Sequence, residues 1–282
     1  MRIAILCIAH ELSPNLKLML GNLSKDFDIY VHMDSKYGEI DEKDFPKNVF
    51  FIKNRIKVYW SDSSQIRAMY NLLESSFNTN YSHYLFISGA DFPIKSNQFI
   101  LDFFKDNKNS YLDISPLPKV QWSSVGGGKD RFEKFWLTKF NNRKITCILG
   151  KITLFVQKTI NFKRKSLPIE YYGGSNWSNL SHEAVAYILD YLQTNPSFME
   201  STKYTFQMDE IWIQTILKTS QHLEVINNDL RYTDWVSGPD FPRTLDLKDY
   251  DLLTCSEAFF ARKVSSTNLS LQNKILNNFI KK

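Results

Sequence analysis

Cysteine is scarce in this chain. Cys7, Cys147 and Cys255 are three in 282 residues, odd in number and far apart. They build no disulfide framework and no zinc spacing, which suits a reducing compartment. The histidines, His10, His32, His83, His182 and His222, show no metal-ligand spacing either, and no Ser-His-Asp order stands out. No apolar run reaches the length needed to span a bilayer. The N-terminal run Ile3-Ala4-Ile5-Leu6-Cys7-Ile8-Ala9 follows one Arg and lacks a signal h-region with a cleavage site, so it reads as a first buried strand. A cytoplasmic protein is expected. The glycine fingerprint of dinucleotide sites is absent after that strand, where the chain continues His10-Glu11-Leu12-Ser13. The Walker phosphate loop is absent too, which argues against NAD, FAD and P-loop chemistry. The literal Asp-x-Asp matches are badly placed for a metal facing a nucleotide. Asp26-Phe27-Asp28 enters a strand, and Asp249-Tyr250-Asp251 reads as a charged loop. No catalytic metal and no other cofactor is expected.

What is present is an ordinary globular composition with many rings. Hydrophobic residues make up 43% and aromatics 15%, and the formal charge of +5 is modest. The high aromatic share is compatible with plain core and with flat sugar- or base-stacking surfaces. The first hundred residues alternate strand and helix signals. Strands are expected at Ile3–Ala9, Phe27–Met33, Val49–Ile52 and Tyr84–Ser88. Helices are expected at Pro14–Leu23 with Ser13 as N-cap, at Asp62–Phe77, and at Gln98–Phe104 capped by Ser96. This alternation predicts an α/β fold with a mostly parallel sheet flanked by helices. In such sheets ligands sit at the carboxyl ends of strands, where Asp34 and Asp91 fall.

Two further segments carry candidate chemistry. Tyr172-Gly173-Gly174-Ser175-Asn176-Trp177 is a Gly-Gly turn into a Trp-bearing polar strand, and it suggests a pocket wall. Asp209-Glu210 opens the apolar helix Ile211–Leu217, where Glu210 is either a cap or a general base. Arg243 and Lys263 by themselves read as solvated. A convergent pair of this kind can nevertheless neutralise a diphosphate in place of a divalent metal. Residues 119–135, with three consecutive glycines, read as a mobile or turn-forming loop. Residues 139–168 carry eight bases and no acid, interleaved with Ile145, Ile148, Ile152, Phe155 and other apolar residues. This is a basic amphipathic stretch, either an interfacial element or an ordinary solvated helix pair. The last residues, 265–282, read as a basic helix.

With these motifs in order, the chain resembles the core-2/I-branching beta-1,6-N-acetylglucosaminyltransferase family, which also contains the peptide O-xylosyltransferases. The resemblance is carried by Val31-His32-Met33-Asp34-Ser35-Lys36, by Val58-Tyr59-Trp60-Ser61 with Ser64 and Ala68, and by Phe86-Ile87-Ser88-Gly89-Ala90-Asp91-Phe92-Pro93. Gly174-Ser175-Asn176-Trp177, Asp209-Glu210 with Gln214-Thr215, Leu230-Arg231-Tyr232-Thr233-Asp234-Trp235 and Phe259-Phe260-Ala261-Arg262-Lys263 complete it. It implies a GT-A-like nucleotide-sugar-binding fold in a single domain over 1–264, with a nucleotide half at 1–115 and an acceptor and catalytic half at 116–264. It also implies metal-independent, inverting transfer from a UDP-sugar (GlcNAc first, xylose next) to a glycan or lipid-linked glycan, without nucleic acid as a partner.

Carried over residue by residue, the resemblance makes Glu210 the base. It puts the uridine on Asp34 and the diphosphate on Lys263 and Arg243, with Arg243 the less secure match because its spacing to Lys263 differs; by position, His10 at the first strand end, Lys36, Tyr59 and Asp91, the last read first as structural, complete the expected donor contacts. It matches acceptor contacts to Lys129, Arg131, Tyr232 and Trp235; Asp234 beside them and Ser175 and Trp177 of the pocket wall complete the expected acceptor contacts. The membrane anchor, stem and many cysteines of vertebrate members have no counterpart here, and the stretch 139–168 is outside the family pattern. That stretch points to an acceptor at an anionic membrane surface. The rival readings are a sugar-phosphate nucleotidyltransferase and a non-catalytic glycan- or membrane-binding scaffold.

Overall fold

The unbroken apolar run at the N-terminus becomes strand β1 (Ile3–Ala9) near the middle of the main sheet. A strand with no polar alternation needs packing on both faces. Ile3, Ile5, Cys7 and Ala9 enter one core, and Ala4 and Leu6 enter another. These are features of a computed structural model in which residues 1–237 and 241–280 are described, Ile280 by its backbone alone. Lys281 and Lys282, part of the expected C-terminal basic helix, lie outside the described residues.

After β1 come α1 (Pro14–Leu23), β2 (Asp28–Met33), β3 (Val49–Phe51), α2 (Ser64–Phe77), β4 (His83–Ser88), β5 (Asp91–Pro93), α3 (Asn97–Phe104) and β6 (Ser110–Leu112). The caps act as read: the Ser13 hydroxyl accepts from Leu16 N–H and the Ser96 hydroxyl from Phe99 N–H, both at 3.2 Å. The chain continues through β7 (Ser115–Pro116), α4 (Asp130–Glu133), α5 (Arg143–Thr159), β8 (Tyr172–Gly173), β9 (Ser178–Ser181), α6 (His182–Thr194), α7 (Pro196–Ser201) and α8 (Trp212–Lys218). It ends with β10 (Val225–Asn227), β11 (Arg231–Thr233), α9 (Tyr250–Cys255), β12 (Phe260–Arg262) and α10 (Ser270–Ile280).

The main sheet has seven strands in the order β10-β6-β9-β4-β1-β2-β3. All pairs are parallel except those made by β9, which runs antiparallel to β4 and β6. The parallel register puts Ala9, Met33 and Ser88 at one edge, so His10, Asp34 and Gly89 follow there. Because β9 is reversed, the residues entering it, Ser175-Asn176-Trp177, reach the same edge. A second sheet, β11-β12-β5, is joined there through β5, two residues after β4.

Three expectations are corrected. Residues 119–135 are not an open loop: a 3-10 segment spans Val120–Gly128 and α4 follows. Gly126, Gly127 and Gly128 have φ of 60°, 67° and 100°, so the glycine run is a left-handed turn that L side chains resist. The 139–168 stretch holds one helix, α5, over Arg143–Thr159, with irregular chain on either side, rather than a helix pair. Asp249-Tyr250-Asp251 is no loop either, since Asp249 closes a 3-10 turn and Tyr250–Cys255 is helical. Helix α10 closes on the first core through Leu271 and Ile275, and Gln272 donates to Asn15 at 3.0 Å. Among the described residues no helix is long and apolar enough to cross a membrane.

Candidate functional site

The Gly-Gly turn and the acidic pair, thirty-odd residues apart in sequence, form one wall. Gly174 N–H donates to the Glu210 carbonyl at 2.9 Å, and Asn176 donates to the Asp209 carboxylate at 3.2 Å. Gln214 holds the Ser175 carbonyl at 2.6 Å. Gly174 lies so close to the Asp113 carbonyl that a Cβ would come within 1.8 Å of it. At Gly173 a Cβ would meet the Trp122 ring at 2.5 Å. Both glycines are therefore required by close approach, the physical reason for a Gly-Gly pair at this turn.

Asp209 and Glu210 lie in a 3-10 turn, Met208–Glu210, ahead of α8, and neither caps α8 by its side chain. Glu210 instead places Oε2 at 2.7 Å from a terminal nitrogen of Arg131. Its Oε1 has no hydrogen-bond partner among the described residues, and the side chain is 25% exposed. Arg131 is itself buried, and its guanidinium lies 3.6 Å from the centre of the Trp122 ring. A charge-assisted bond to a buried, stacked arginine fixes the carboxylate while leaving one oxygen open, the geometry a general base needs. Asp209 is buried, and its carboxyl is pushed up to about 7 by burial and then by the neighbouring Glu210 charge. Gln207, in the left-handed region at φ 49°, donates its N–H to the carbonyl of Ser61, another left-handed non-glycine at φ 64°. Such backbone is uncommon and clusters at functional sites.

Across this edge Asp91 is fully buried between two arginines. Its oxygens lie 3.3 Å from Arg262 and 3.4 Å from Arg231, which is also buried and donates to the Phe86 carbonyl at 2.8 Å. Trp177, also buried, lies 4.4 Å from the Arg262 guanidinium and 5.3 Å from that of Arg231. The arrangement ties β5, β11 and β12 to the main sheet.

Asp34 is buried at the end of β2. It accepts from Lys36 N–H at 2.9 Å and Val58 N–H at 3.3 Å, and lies 3.3 Å from the Lys36 ammonium. That ammonium donates to the Val58 carbonyl at 2.6 Å and stands 5.1 Å from the Tyr59 ring centre. Asp34, Lys36 and Tyr59 are thus brought together, with His10 exposed at the end of β1. His32 is buried and accepts from Ile56 N–H at 3.1 Å, a core role consistent with burial pushing its imidazole down.

The two C-terminal cations differ sharply. Arg243 donates to Asp234 at 2.9 Å and to both oxygens of Asp249 at 3.0 and 2.7 Å. Lys263, half-buried just after β12, has no ion-pair or side-chain hydrogen-bond partner among the described residues. Its amine is pushed down by burial, then by Arg262 and Arg143. Asp234 is therefore Arg243's partner, Trp235 is 62% exposed, Tyr232 is half-buried in β11, and Lys129 is exposed before α4.

Sequence reasoning passed over Arg262, Arg231, Asp113 and Arg143 as site residues. Asp113 follows β6 and accepts from Ser175 N–H at 3.1 Å. It follows a strand as Asp34 does, but β6 has only three residues and no period that would have marked it. Among the described residues no cluster of three or more His, Cys, Asp or Glu is arranged to hold a metal. Two surface hollows of about 500 and 480 Å³ lie elsewhere, against Tyr250 and Lys274 and against Tyr70 and Leu189.

Comparison with known proteins bears on this geometry. No curated protein matches the chain. The apo crystal structure of mouse xyloside xylosyltransferase 1 is 10% identical with a TM-score of 0.40, covering 95% of this chain and 99% of that one. A putative glucose-1-phosphate thymidylyltransferase from Bacillus anthracis, in complex with a sucrose, is 11% identical with a TM-score of 0.34, covering 98% and 95%. The model of the Core-2/I-Branching enzyme family matches residues 4–257, a span that includes Glu210 and stops short of Lys263. The chain therefore belongs to the core-2/I-branching enzyme family and is a glycosyltransferase of that type.

Proposed function

We propose that the chain moves a sugar from a UDP-sugar to a glycan hydroxyl by single displacement with inversion. GlcNAc is the first choice of donor sugar and xylose the second. The observation that carries the reading is Glu210, with one oxygen fixed by Arg131 and the other open. In this reading Oε1 takes the acceptor hydroxyl proton as that oxygen attacks the anomeric carbon. The bond to the leaving UDP breaks on the opposite side of that carbon. Lys263, with no anionic partner among the described residues, neutralises the departing diphosphate in place of a divalent metal. Asp34, Lys36 and Tyr59 hold the uridine side of the donor. The deciding experiment follows UDP release across a panel of UDP-sugars with and without EDTA. Release that persists in EDTA with one preferred sugar supports the reading. Release abolished by EDTA refutes its metal-free part, and no binding of any UDP-sugar favours a scaffold.

We also propose that the acceptor is met at an anionic membrane, in surface-polysaccharide assembly on the cytoplasmic face. Helix α5 supports this. Ile148, Ile152 and Phe155 on one stripe are 58%, 55% and 72% exposed, large apolar groups that a monomeric surface seldom presents together. Of the eight bases in the stretch, Lys139, Lys144, Lys151 and Lys165 have no partner among the described residues, while Lys158 and Lys163 pair with Asp130 and Glu133. An apolar stripe edged by unpaired lysines suits an anionic lipid surface. Co-sedimentation with phosphatidylglycerol vesicles, lost in an Ile148→Asp/Phe155→Asp variant, is the expected result. Equal binding to zwitterionic vesicles, or none to either, rejects it.

A further inference from the structure

Arg143, the first residue of α5, turns away from the exposed stripe of its helix. Its guanidinium carbon lies 4.3 Å from the Trp60 ring centre and 3.6 Å from that of Phe241. The Lys263 ammonium stands 6.0 Å from the centre of the same Phe241 ring, and Arg143 is near enough to help push the Lys263 amine down. Among the described residues neither cation has an ion-pair or side-chain hydrogen-bond partner. Two like charges that act on each other across this region repel, and an anion within reach of both reverses the sign of the interaction. Packing on two rings restricts the guanidinium, and its N–H groups have no hydrogen-bond partner among the described residues, a presentation suited to phosphate oxygens. Trp60 adjoins Tyr59 on the expected uridine side. Its ring also meets that of Phe206 at 5.8 Å, in the segment leading to Glu210.

We infer that Arg143 is the second cation of the donor diphosphate site, acting beside Lys263. This rests on the reading of Lys263 as a diphosphate ligand. The resemblance assigned that second place to Arg243. Arg243, however, has three of its nitrogens committed to Asp234 and Asp249, so its charge is already cancelled. Helix α5 starts at a capped end, with the Asn142 side chain accepting from Lys144 N–H at 2.9 Å. Arg143 is therefore presented from an ordered position, and a stretch read as an interfacial element or a solvated helix pair also supplies the donor site.

The test is titration of UDP and of uridine into the full chain as wild type, Arg143→Ala, Arg143→Lys, Lys263→Ala and Arg243→Ala. Arg143→Ala is expected to weaken UDP about tenfold or more and to leave uridine unchanged, with Arg143→Lys recovering part of the loss. Arg243→Ala is expected to change UDP affinity by less than about threefold. Wild-type UDP affinity in Arg143→Ala, together with a loss in Lys263→Ala, overturns the role of Arg143 while the diphosphate reading stands. Equal losses of UDP and uridine in Arg143→Ala also overturn it, because the residue would then be shaping the ring wall. No UDP binding by the wild type, or none of its affinity lost in either Arg143→Ala or Lys263→Ala, overturns the diphosphate reading and this inference with it.

Discussion

Two charged clusters at the same sheet edge are built on opposite principles. Around Asp91 the charges close on one another, with a buried carboxylate between Arg231 and Arg262; nearer the surface, the partly exposed Arg243 is paired with Asp234 and Asp249. At Glu210 and at Lys263 they stay open among the described residues, with one carboxylate oxygen lacking a partner and a cation influenced by other cations. Buried ions that satisfy each other hold elements together, and breaking such a set is costly. Ions left unsatisfied at a rim mark where a ligand would complete the balance. The difference separates residues that build the fold from residues placed to act.

The sharpest way to break the comparison is at its open end. Glu210→Gln keeps shape and removes the proposed base, and transfer should fall by about 100- to 10,000-fold with UDP affinity unchanged. A substantial residual rate in a quenched transfer assay would remove Glu210 from that role. At the closed end, Asp91→Ala leaves two arginines without their anion and should lower stability by about 3–5 kcal/mol in chemical denaturation. A loss below about 1 kcal/mol would mean that water rather than Asp91 balances them.

Asp209 sits between the two principles, and pH sharpens its position. Its carboxyl is raised from the ordinary range near 3.8 to about 7, so between those values the folded chain holds a proton that the unfolded chain has released. Its contribution to stability is therefore fully present below about pH 4, declines as pH rises to about 7, and is flat above that. Asp209→Asn should remove that slope from a stability–pH curve, and an unchanged slope would show that other groups carry it. The smallest effect is expected at the partly exposed pair. Arg243→Ala should lower Tm by no more than about 4 °C, since exposed pairs are weak. A larger fall in a thermal melt would move Arg243 among the buried, structural ions.

Much of the first half was legible before folding. Continuous apolar runs such as Ile3–Ala9 and the spacing of Ile66, Met69 and Leu73 in α2 report burial directly, because parallel strands and amphipathic helices print their environment on the sequence. The short strands β5, β7, β8 and β11 were not legible, since two or three residues carry no period and owe their state to distant partners. The Gly-Gly turn and the acidic pair stood out as local motifs. That Gly174 would donate to the carbonyl of Glu210 could not be read from either. Arg131 was read as an acceptor contact and Arg143 as part of a basic stretch. Their roles depend on Glu210, Trp60 and Phe241, which lie tens of residues away in sequence.

From the sequence alone came the α/β class, the helix caps, and the residue types able to do base and phosphate chemistry. Each of these follows from short-range physics: which side chains must be buried, which backbone groups need a cap, and which groups can bear charge. The tertiary structure alone decided which charges cancel and which remain open. An ion's role depends on what lies within a few ångströms of it, and in this fold those neighbours come from separate strands and helices.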